Sequence, residues 1–466
     1  GVFQIESRAQ MNTLPRLKPR CFYDLVVEVA LIRPGPIQGD MVHPYLRRRK
    51  GEEPVTYLDP RLEPILKRTL GVPLFQEQGM KVAIALAGFT PAQADNMRRA
   101  MGFKRSHRAM EAVERDLVAG MRANGVAPEV EEKVLQYLTA FANYGFPESH
   151  SASFALLVYA SSWLKHHYAP EFYAALLNSQ PMGFYSPGTI IHDARLHEVE
   201  IRPVDLARSD WDTTLEPGSA AAIGGEPALR LGLRLVRGLG GKAREKLQAA
   251  RAEGRFRSVE DVVRRSGLGA RELRVLAEGG AFESLWPGRR DALWEVLREV
   301  RGDAGPLARR LSGAGGGGGS RRPALPSMTE LERIAADYRC TGLSVTGHPV
   351  AHLRAALRRR GALTAEALKA CEPGDRVGAA GLVICRQRPG PANGIMFVTL
   401  EDETGFSNFV VMPDRRERMR DVLRAPLLLL GGVVQKEDGV VNVLVDRAES
   451  LDLGGETLKV RSHDYR

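Results

Sequence analysis

The chain has 466 residues, of which 44% are hydrophobic and 26% are charged. This length indicates about three domains rather than one small module, and the composition excludes a globally disordered chain. Basic residues exceed acidic ones by 66 to 56, giving a net charge of +10, and 54 of the 66 are Arg. Guanidinium groups suit phosphate ligands, although genome composition alone also produces an Arg bias.

Four cysteines lie far apart, with no C-x-x-C pair and no histidine at zinc-ligand spacing: Cys21, Cys340, Cys371 and Cys385. They favour reduced thiols over a zinc site or a disulfide framework. No apolar run reaches the roughly 18 residues of a membrane helix, and no charged-then-apolar leader begins the chain. We therefore expect a soluble, cytoplasmic protein with no membrane partner.

Gly1 stands first in place of Met, and residues 2–5 predict a strand, so we expect an N-terminal part of the protein to lie upstream. Residues 75–178 predict helix after helix. Apolar residues recur at helical spacing in 129–143 and in 151–167, with Ser149 or Ser151 as the N-cap of the second helix. The first part of the chain is therefore predicted to be mainly α-helical.

Turns and short extended pieces are predicted for residues 184–226, followed by two helical hairpins at 229–251 and 259–282. Each hairpin turns at a Gly-x-Gly that leads into a helix, where unpaired amide N–H groups suit a phosphate. The residues predicted to contact DNA are Gly238, Gly240 and Lys242 in the first hairpin and Gly267, Gly269 and Arg271 in the second, with Arg244, Lys246 and Arg274 adding charge. Two ordinary hairpins without a ligand are the alternative.

A glycine run at 315–319 lies within a flexible linker predicted over 301–327, and residues 328–372 predict a helical connector. Residues 373–466 predict a domain of five strands, at 377–384, 395–400, 407–411, 427–434 and 440–445, with a helix after the third. This layout is typical of an OB-fold barrel, which binds single-stranded nucleic acid. Another small β-barrel is the alternative.

Residues 98–108 hold five Lys or Arg and no acidic residue. If residues 91–101 are helical, Arg98 and Arg99 lie at the end of that helix, and Lys104 and Arg105 lie in the following turn. Such a cluster suits a triphosphate, and a solvated basic helix end is the equal alternative. A turn with two prolines and a glycine would hold Arg33 rigidly. Residues 47–50 predict a solvated loop or a strand end that could follow a nucleic-acid backbone.

Ser149 and His150 lie at a predicted helix N-terminus, a place that suits an anion or a nucleotide. They are not a hydrolase signature, because neighbours on a helix point about 100° apart and G-x-S-x-G is absent. Asp210 and Asp212 form the only D-x-D in the sequence, and nothing around them supports a cation site. No metal-binding residue is therefore predicted in this chain.

Five motifs occur in an order typical of one enzyme family: GVFQIESR at 1–8, ALIRPGP at 30–36, QEQ at 76–78, MRRAMG at 97–102, and YGF with SHS at 144–151. With them, the chain resembles the C-terminal portion of a bacterial C-family DNA polymerase of the polymerase III alpha type. Motifs at 337–349, 381–397 and 400–405 resemble its error-prone, damage-inducible (ImuC-like) branch. As in that branch, the chain stops shortly after the barrel.

The resemblance implies an α+β multidomain protein: the end of the palm and helical fingers in 1–183, tandem helix-hairpin-helix units in 184–300 that grip duplex DNA, and a C-terminal five-stranded OB-fold barrel near the single-stranded template. It implies nucleotide or template contacts by Arg33, Arg98, Arg99, Lys104, Arg105, Ser149 and His150. It also implies that the catalytic palm aspartates, and the Mg²⁺ they bind, lie upstream of Gly1. Asp210 and Asp212 do not correspond to them.

We therefore predict an error-prone DNA-directed DNA polymerase that acts in damage-induced mutagenesis and translesion synthesis. This chain alone is expected to bind primer–template DNA without extending it. Expected partners are primer–template DNA, deoxynucleoside triphosphates and, since we find no Gln-led clamp-binding peptide, a mutagenesis protein that bridges to the sliding clamp. The alternative is a non-catalytic DNA-binding protein built from the same modules.

Overall fold

The computed structural model describes residues 1–32, 42–102, 107–142, 146–182, 185–219, 226–302, 325–388, 394–437, 440–453 and 463–465. The chain divides into two compact units, Gly1–His167 and Tyr168–Arg466. Most of the predicted linker, and the predicted site residues Arg33, Lys104 and Arg105, lie outside the described residues. No helix within the described ranges is long and apolar enough to cross a membrane.

The described residues of the first unit are helical, in agreement with the prediction. The α-helices are α1 (Arg8–Leu17), α2 (Phe22–Leu31), α3 (Val42–Lys50), α4 (Glu63–Leu66), α5 (Gln76–Ala87), α6 (Pro91–Gly102), α7 (His107–Ala123), α8 (Pro128–Ala142) and α9 (Glu148–His167), with 3₁₀ turns at Pro60–Leu62 and Lys67–Thr69. The strand predicted for residues 2–5 is wrong, because these residues form a turn in which Gln4 has a φ of 56°, outside the extended region.

One apolar core holds the first unit together, and it includes Val26 of α2, Leu86 of α5, Met121 of α7 and Ala155 of α9. Helix α9 lies on α2, and the Ser151 hydroxyl donates to the Val26 carbonyl over 2.5 Å. The predicted N-cap of α9 is wrong, because the helix already begins at Glu148. Ser149 and Ser151 therefore lie within its first turn.

The second unit begins with helices and a small sheet. Its first elements are α10 (Ala169–Asn178), α11 (Pro187–Leu196), β1 (Ile201–Arg202), β2 (Thr214–Glu216) and β3 (Ala228–Arg230). The strands are ordered β1-β3-β2. Helix α11 was missed, because Pro187 and Gly188 indicate a turn, although Ser186 caps the helix by accepting from the Thr189 amide at 3.1 Å.

The helical hairpins follow as α12 (Gly241–Ala252), α13 (Val259–Ser266), α14 (Ala270–Glu278) and α15 (Arg289–Gly302). The second hairpin, α13 and α14, is confirmed. In the first hairpin, the predicted helix before the turn is wrong: residues 228–230 are β3 and Leu233–Leu235 form one 3₁₀ turn. Strand β3 is buried and pairs with strands on both sides, so these hydrogen bonds compete successfully with a helix.

The remaining elements build the barrel domain. They are α16 (Glu330–Cys340), α17 (Pro349–Arg359), β4 (Ala362–Leu363), α18 (Ala365–Leu368), β5 (Arg376–Gln387), β6 (Met396–Asp402), β7 (Gly405–Val411), α19 (Pro413–Arg418), β8 (Leu427–Glu437), β9 (Val440–Ser450) and β10 (His463–Tyr465), with a 3₁₀ turn at Val422–Arg424.

Strands β5 to β9 close into a barrel in the order β5-β6-β7-β9-β8-β5, in which β7 and β9 run parallel and the other pairs antiparallel. Val383, Val398 and Phe409 lie in its core. The ladder between β8 and β9 shifts register at Gly431 and Gly432, where a Cβ on Gly432 would overlap the Leu444 carbonyl. The five strands and the helix after the third confirm the predicted OB fold.

Candidate nucleotide and DNA interface

The C-terminal half of α6 presents two of the predicted nucleotide-binding arginines. Ala94 and Met97 are buried and anchor one side of this helix. Asp95 lies 2.8 Å from Nη2 of Arg98 and 2.8 Å from Nη2 of Arg99. The hydrogen bond from Arg98 lowers the pKa of Asp95. Two guanidinium groups thus share one carboxylate, which leaves one net positive charge, and the Arg99 side chain is 69% exposed.

The basic run at residues 47–50 is not the predicted loop or strand end, because it is the last turn of α3. Its arginines are bound within the protein. Arg49 contacts the Asp24 carboxylate at 2.7 Å and donates to the Leu17 carbonyl, while Nε of Arg48 contacts Glu53 at 3.0 Å. Since the Arg48 and Arg49 side chains are mostly buried, this run serves the fold of the first unit more than a ligand.

Ser149 and His150 are exposed on the first turn of α9. The His150 ring contacts two aromatic rings, with centroids 5.1 Å from Phe146 and 4.2 Å from Phe154. The Glu148 amide at the start of the helix donates to a Glu77 carboxylate oxygen at 3.0 Å. The Glu77 carboxylate therefore lies at the helix N-terminus, where the sequence predicted a bound anion. A nucleotide at this place would contact the side chains of Ser149 and His150 rather than the backbone amides of the helix.

These two pairs of predicted site residues lie on different helices of the first unit. Arg98 and Arg99 are on α6, and Ser149 and His150 are on α9. No hydrogen bond or ion pair between described residues connects one pair to the other. The structure therefore describes four of the seven residues predicted to contact the nucleotide, and it shows no direct contact between the two pairs.

The turn of the first hairpin is open. Gly238 has a φ of +90°, in the region that favours glycine, and no heavy atom lies within 4 Å of a Cβ built on Gly238, Gly240 or Gly241. Helix α12 begins at Gly241, so its first amides have no partner within the helix. Lys242 is exposed immediately beside them. This turn has the shape and charge of a phosphate-binding turn.

In the second hairpin, backbone groups of the turn are already hydrogen-bonded within the protein. The Gly269 amide donates to a Glu272 carboxylate oxygen at 2.7 Å. Arg271 is exposed. Lys246 of the first hairpin, predicted to add charge beside its own turn, instead donates to the Gly267 carbonyl at 2.6 Å and ties the two hairpins together. The sequence did not predict this hydrogen bond, because its two residues are 21 positions apart.

The carboxylates of the D-x-D pair are engaged by arginines. Asp212 accepts from Nη1 of Arg234 at 2.9 Å, and Asp210 lies 3.6 Å from Nη1 of Arg251. Neither residue lies in a strand, and Asp212 lies in a bend. Across the part of the chain that the structure describes, no group of three or more His, Cys, Asp or Glu is arranged to hold a metal ion.

A buried cluster that sequence reasoning missed joins the barrel to helix α11 within the second unit. Glu401 of β6, 6% exposed, places Oε1 3.4 Å from Nδ1 of His192 on α11 and 3.7 Å from Nε2 of His348 at the start of α17. Burial raises the pKa of Glu401 to about 8 and lowers that of His348 to about 3. Burial also lowers the pKa of His192. The three groups are therefore mostly neutral at pH 7.

Two family matches cover parts of the chain. Residues 1–125 match the bacterial DNA polymerase III alpha subunit finger domain, and residues 198–292 match a helix-hairpin-helix motif. The first range contains helices α1 to α7 of the first unit, and the second contains the hairpin helices α12 to α14.

Similar proteins match the whole chain. An error-prone DNA polymerase of Anaeromyxobacter sp. (strain K) is 52% identical over all of this chain and 41% of its own length. One from Methylococcus capsulatus is 48% identical over all of this chain and 45% of its own length, and error-prone DNA polymerase 2 of Rhizobium meliloti is 47% identical, with 43% of its length covered. This chain thus spans less than half the length of these relatives. Along its whole length, this chain is similar to error-prone DNA polymerases, and its first 125 residues are similar to the finger domain of the bacterial DNA polymerase III alpha subunit.

Proposed function

We propose that residues 1–466 form the nucleotide-binding and DNA-binding part of an error-prone DNA-directed DNA polymerase, which adds deoxynucleotides to a primer 3′ end in damage-induced mutagenesis and translesion synthesis. The observation that carries this proposal is the identity of 47% to 52% to error-prone DNA polymerases along the entire chain. Because the identity extends over all the modules of the chain, a single shared domain does not explain it.

In this proposal, the fingers residues neutralise the triphosphate of the incoming nucleotide or contact the template. The exposed guanidinium of Arg99 and that of Arg98 would stabilise negative charge on phosphate oxygens during transfer. The exposed side chains of Ser149 and His150 would contribute a hydroxyl and an imidazole to the same pocket. Arg33, Lys104 and Arg105 are proposed to join them on the basis of sequence.

The hairpins are proposed to hold duplex DNA through its backbone. The open turn at Gly238 and Gly240 would offer amide N–H groups to a phosphate, with Lys242 beside it. Gly267, Gly269 and Arg271 would form the second contact, in which the Gly269 amide would have to exchange Glu272 for a phosphate. Such contacts fix position without reading sequence, as a polymerase requires. The OB barrel is proposed to lie along the single-stranded template.

The described residues do not fit a catalytic divalent cation, because Asp210 and Asp212 are bound to Arg251 and Arg234. We propose that Mg²⁺ is held by carboxylates in the part of the full-length protein outside residues 1–466. The cation would stabilise charge on the transferring phosphate. We further propose cytoplasmic action and a protein partner that connects the polymerase to the sliding clamp.

A primer-extension assay tests the proposal. The full-length protein should extend a labelled primer with Mg²⁺ and deoxynucleotides, whereas residues 1–466 alone should bind the same primer–template without extending it. Extension by residues 1–466 alone would contradict the proposed location of the cation site. A full-length protein that binds DNA and never extends a primer would favour a non-catalytic DNA-binding protein.

A further inference from the structure

Helix α9 has an unusual distribution of apolar residues. Its buried residues are Ser151, Ala155 and Val158, which form one narrow stripe. On the exposed side lie five large side chains: Leu156 (59% exposed), Leu157 (50%), Tyr159 (55%), Trp163 (44%) and Leu164 (45%). A surface helix normally turns polar residues to water, and a helix that is apolar all round is normally buried.

The charge distribution along α9 supports the same interpretation. No Asp, Glu, Lys or Arg occurs between Glu148 and Lys165. With roughly half of each of five large side chains exposed, the apolar surface is on the order of 500 Å², a size at which a patch is often functional. Because no cation lies among these side chains, the face offers nothing to a phosphate backbone, which argues against nucleic acid as its occupant.

The N-terminal segment continues this face. The Phe3 amide donates to the Ser161 hydroxyl at 3.3 Å, and the Phe3 ring lies edge-on to Phe154 with centroids 5.3 Å apart. Phe3 is itself 39% exposed. Phe3 therefore adds a partly exposed ring beside the exposed side of α9, and we term the two together the α9 face.

The similar error-prone polymerases are more than twice as long as this chain, which covers 40% to 45% of the first of them. We propose that the α9 face is an intramolecular interface, covered in the full-length protein by a domain that lies outside residues 1–466. The proposal rests on the similarity to these longer polymerases and not on any assigned nucleotide or DNA contact. The polymerase assays therefore fail or succeed independently of it.

Cysteine labelling tests the proposal. Leu157→Cys is placed in residues 1–466 and in the full-length protein, each carrying Cys21→Ser to remove the native exposed thiol, and maleimide labelling rates are compared without DNA. Glu132→Cys, on an exposed position of α8, is the matched control. We expect Leu157→Cys to react at least about tenfold more slowly in the full-length protein, and Glu132→Cys to react equally in both.

Other outcomes overturn the proposal. Equal labelling of Leu157→Cys in both proteins would leave the face uncovered. Slow labelling in residues 1–466 that depends on protein concentration would assign the face to a second copy, and slow labelling independent of concentration would assign it to residues 168–466. Protection only after primer–template is added would assign it to DNA.

A charge substitution gives a second readout. Leu157→Glu adds an ionised group to a side chain that is half exposed in residues 1–466, so thermal unfolding of that chain should change little. In the full-length protein the same carboxylate would be buried without a partner, and the melting temperature should fall by several degrees. Equal, small shifts in both proteins would contradict the proposal.

Discussion

Oε1 of Glu401 lies 3.4 Å from Nδ1 of His192, and this contact connects the OB barrel to helix α11 through two buried ionisable groups. His348 approaches the same carboxyl from the start of α17 at 3.7 Å. Arg195, Asp402 and the buried Tyr338 also act on these groups electrostatically. We therefore expect the connection between the barrel and α11 to depend on which of these groups carry a charge.

We predict that Glu401→Gln removes a loss of stability that the unsubstituted chain shows as the pH rises from about 4.5 to about 8. The folded-state pKa of Glu401, about 8, lies above its ordinary value of 4.5, so the folded chain keeps a proton that the unfolded chain releases between these values. Its contribution to stability is complete below pH 4.5 and is lost as the pH rises through 8. Glutamine keeps the shape but cannot ionise.

Thermal unfolding of residues 1–466 between pH 6 and pH 9 measures this effect. The melting temperature of the unsubstituted chain should fall over this range more steeply than that of Glu401→Gln. The exposed residue Glu366 of α18 provides a control, Glu366→Gln, which should follow the unsubstituted chain. Parallel curves for all three proteins would show that Glu401 does not titrate in this range.

The elements that sequence predicted well are those with a strong period. Helix α8 and the five barrel strands follow regular apolar patterns, so their residues are visible without a structure. Residues 2–5 and 229–237 were assigned wrongly because a few apolar residues in a row fit strand, turn or helix equally well. Residues 228–230 form β3 because strands on both sides provide hydrogen-bond partners. A local sequence pattern does not contain this information.

The sequence indicated which types of residue could bind phosphate, but it did not indicate which protein groups these side chains contact. Basic residues near glycines indicated phosphate binding, and Lys242 is indeed exposed beside an open turn. The partners that neutralise other cations are distant in sequence: Asp24 binds Arg49 from 25 residues away, and Gly267 binds Lys246 from 21. The Glu401 cluster joins residues more than 50 and 200 positions apart, beyond any motif.

We predict that Arg98→Ala in the full-length protein raises the KM for the incoming nucleotide several-fold more than it raises the Kd for primer–template. The reason is that Arg98 would neutralise the triphosphate, while most of the DNA affinity comes from other cations. Steady-state extension and a separate DNA-binding titration measure the two constants. Equal losses in both would reassign Arg98 to the template.

Arg122→Ala is the matched control for this prediction. Arg122 is also an exposed arginine paired with a carboxylate, at 3.0 Å from Glu131, and lies on α7. It should leave both constants within about twofold of their original values. A KM effect as large as that of Arg98→Ala would point to a general electrostatic influence of the first unit instead of a specific contact.

We predict that Lys242→Ala and Arg271→Ala each weaken binding of duplex DNA to residues 1–466 and lower its salt dependence. Removing one cation that neutralises a DNA phosphate should reduce the slope of log K against log salt by about 0.9. Titrations at several salt concentrations give the slope, and Lys133→Ala, an exposed lysine on α8, should leave it unchanged. Unchanged slopes for both hairpin variants would show that neither residue binds the DNA backbone.

We predict that Arg289→Met strongly destabilises the second unit. The Arg289 side chain is 3% exposed, with Nη1 2.6 Å from Asp337 and Nε 2.9 Å from Glu283. Burial raises the pKa of Asp337 even with this arginine present. Removing Arg289 leaves a buried carboxylate without its cation, which costs about 3–5 kcal/mol in the free energy of unfolding at pH 7.

The reason for this destabilisation can be separated from poorer packing by a second substitution. Asp337→Asn removes the charge while retaining an oxygen that can accept the 2.7 Å hydrogen bond from Ser344. If the unpaired charge is the cause, the double variant Arg289→Met with Asp337→Asn should recover a large part of the stability. The single variant should also be less destabilised at pH 5, where Asp337 takes up a proton more readily.

Urea unfolding followed by circular dichroism measures these free energies. Arg274→Met is the control, because Arg274 lies in the same unit, on α14, and is 62% exposed in its pair with the partly exposed Glu278, so its replacement should cost about 0.5 kcal/mol or less. If the double variant is as unstable as Arg289→Met, the arginine contributes by filling space beside Gly280, where a Cβ would overlap it, rather than by neutralising Asp337.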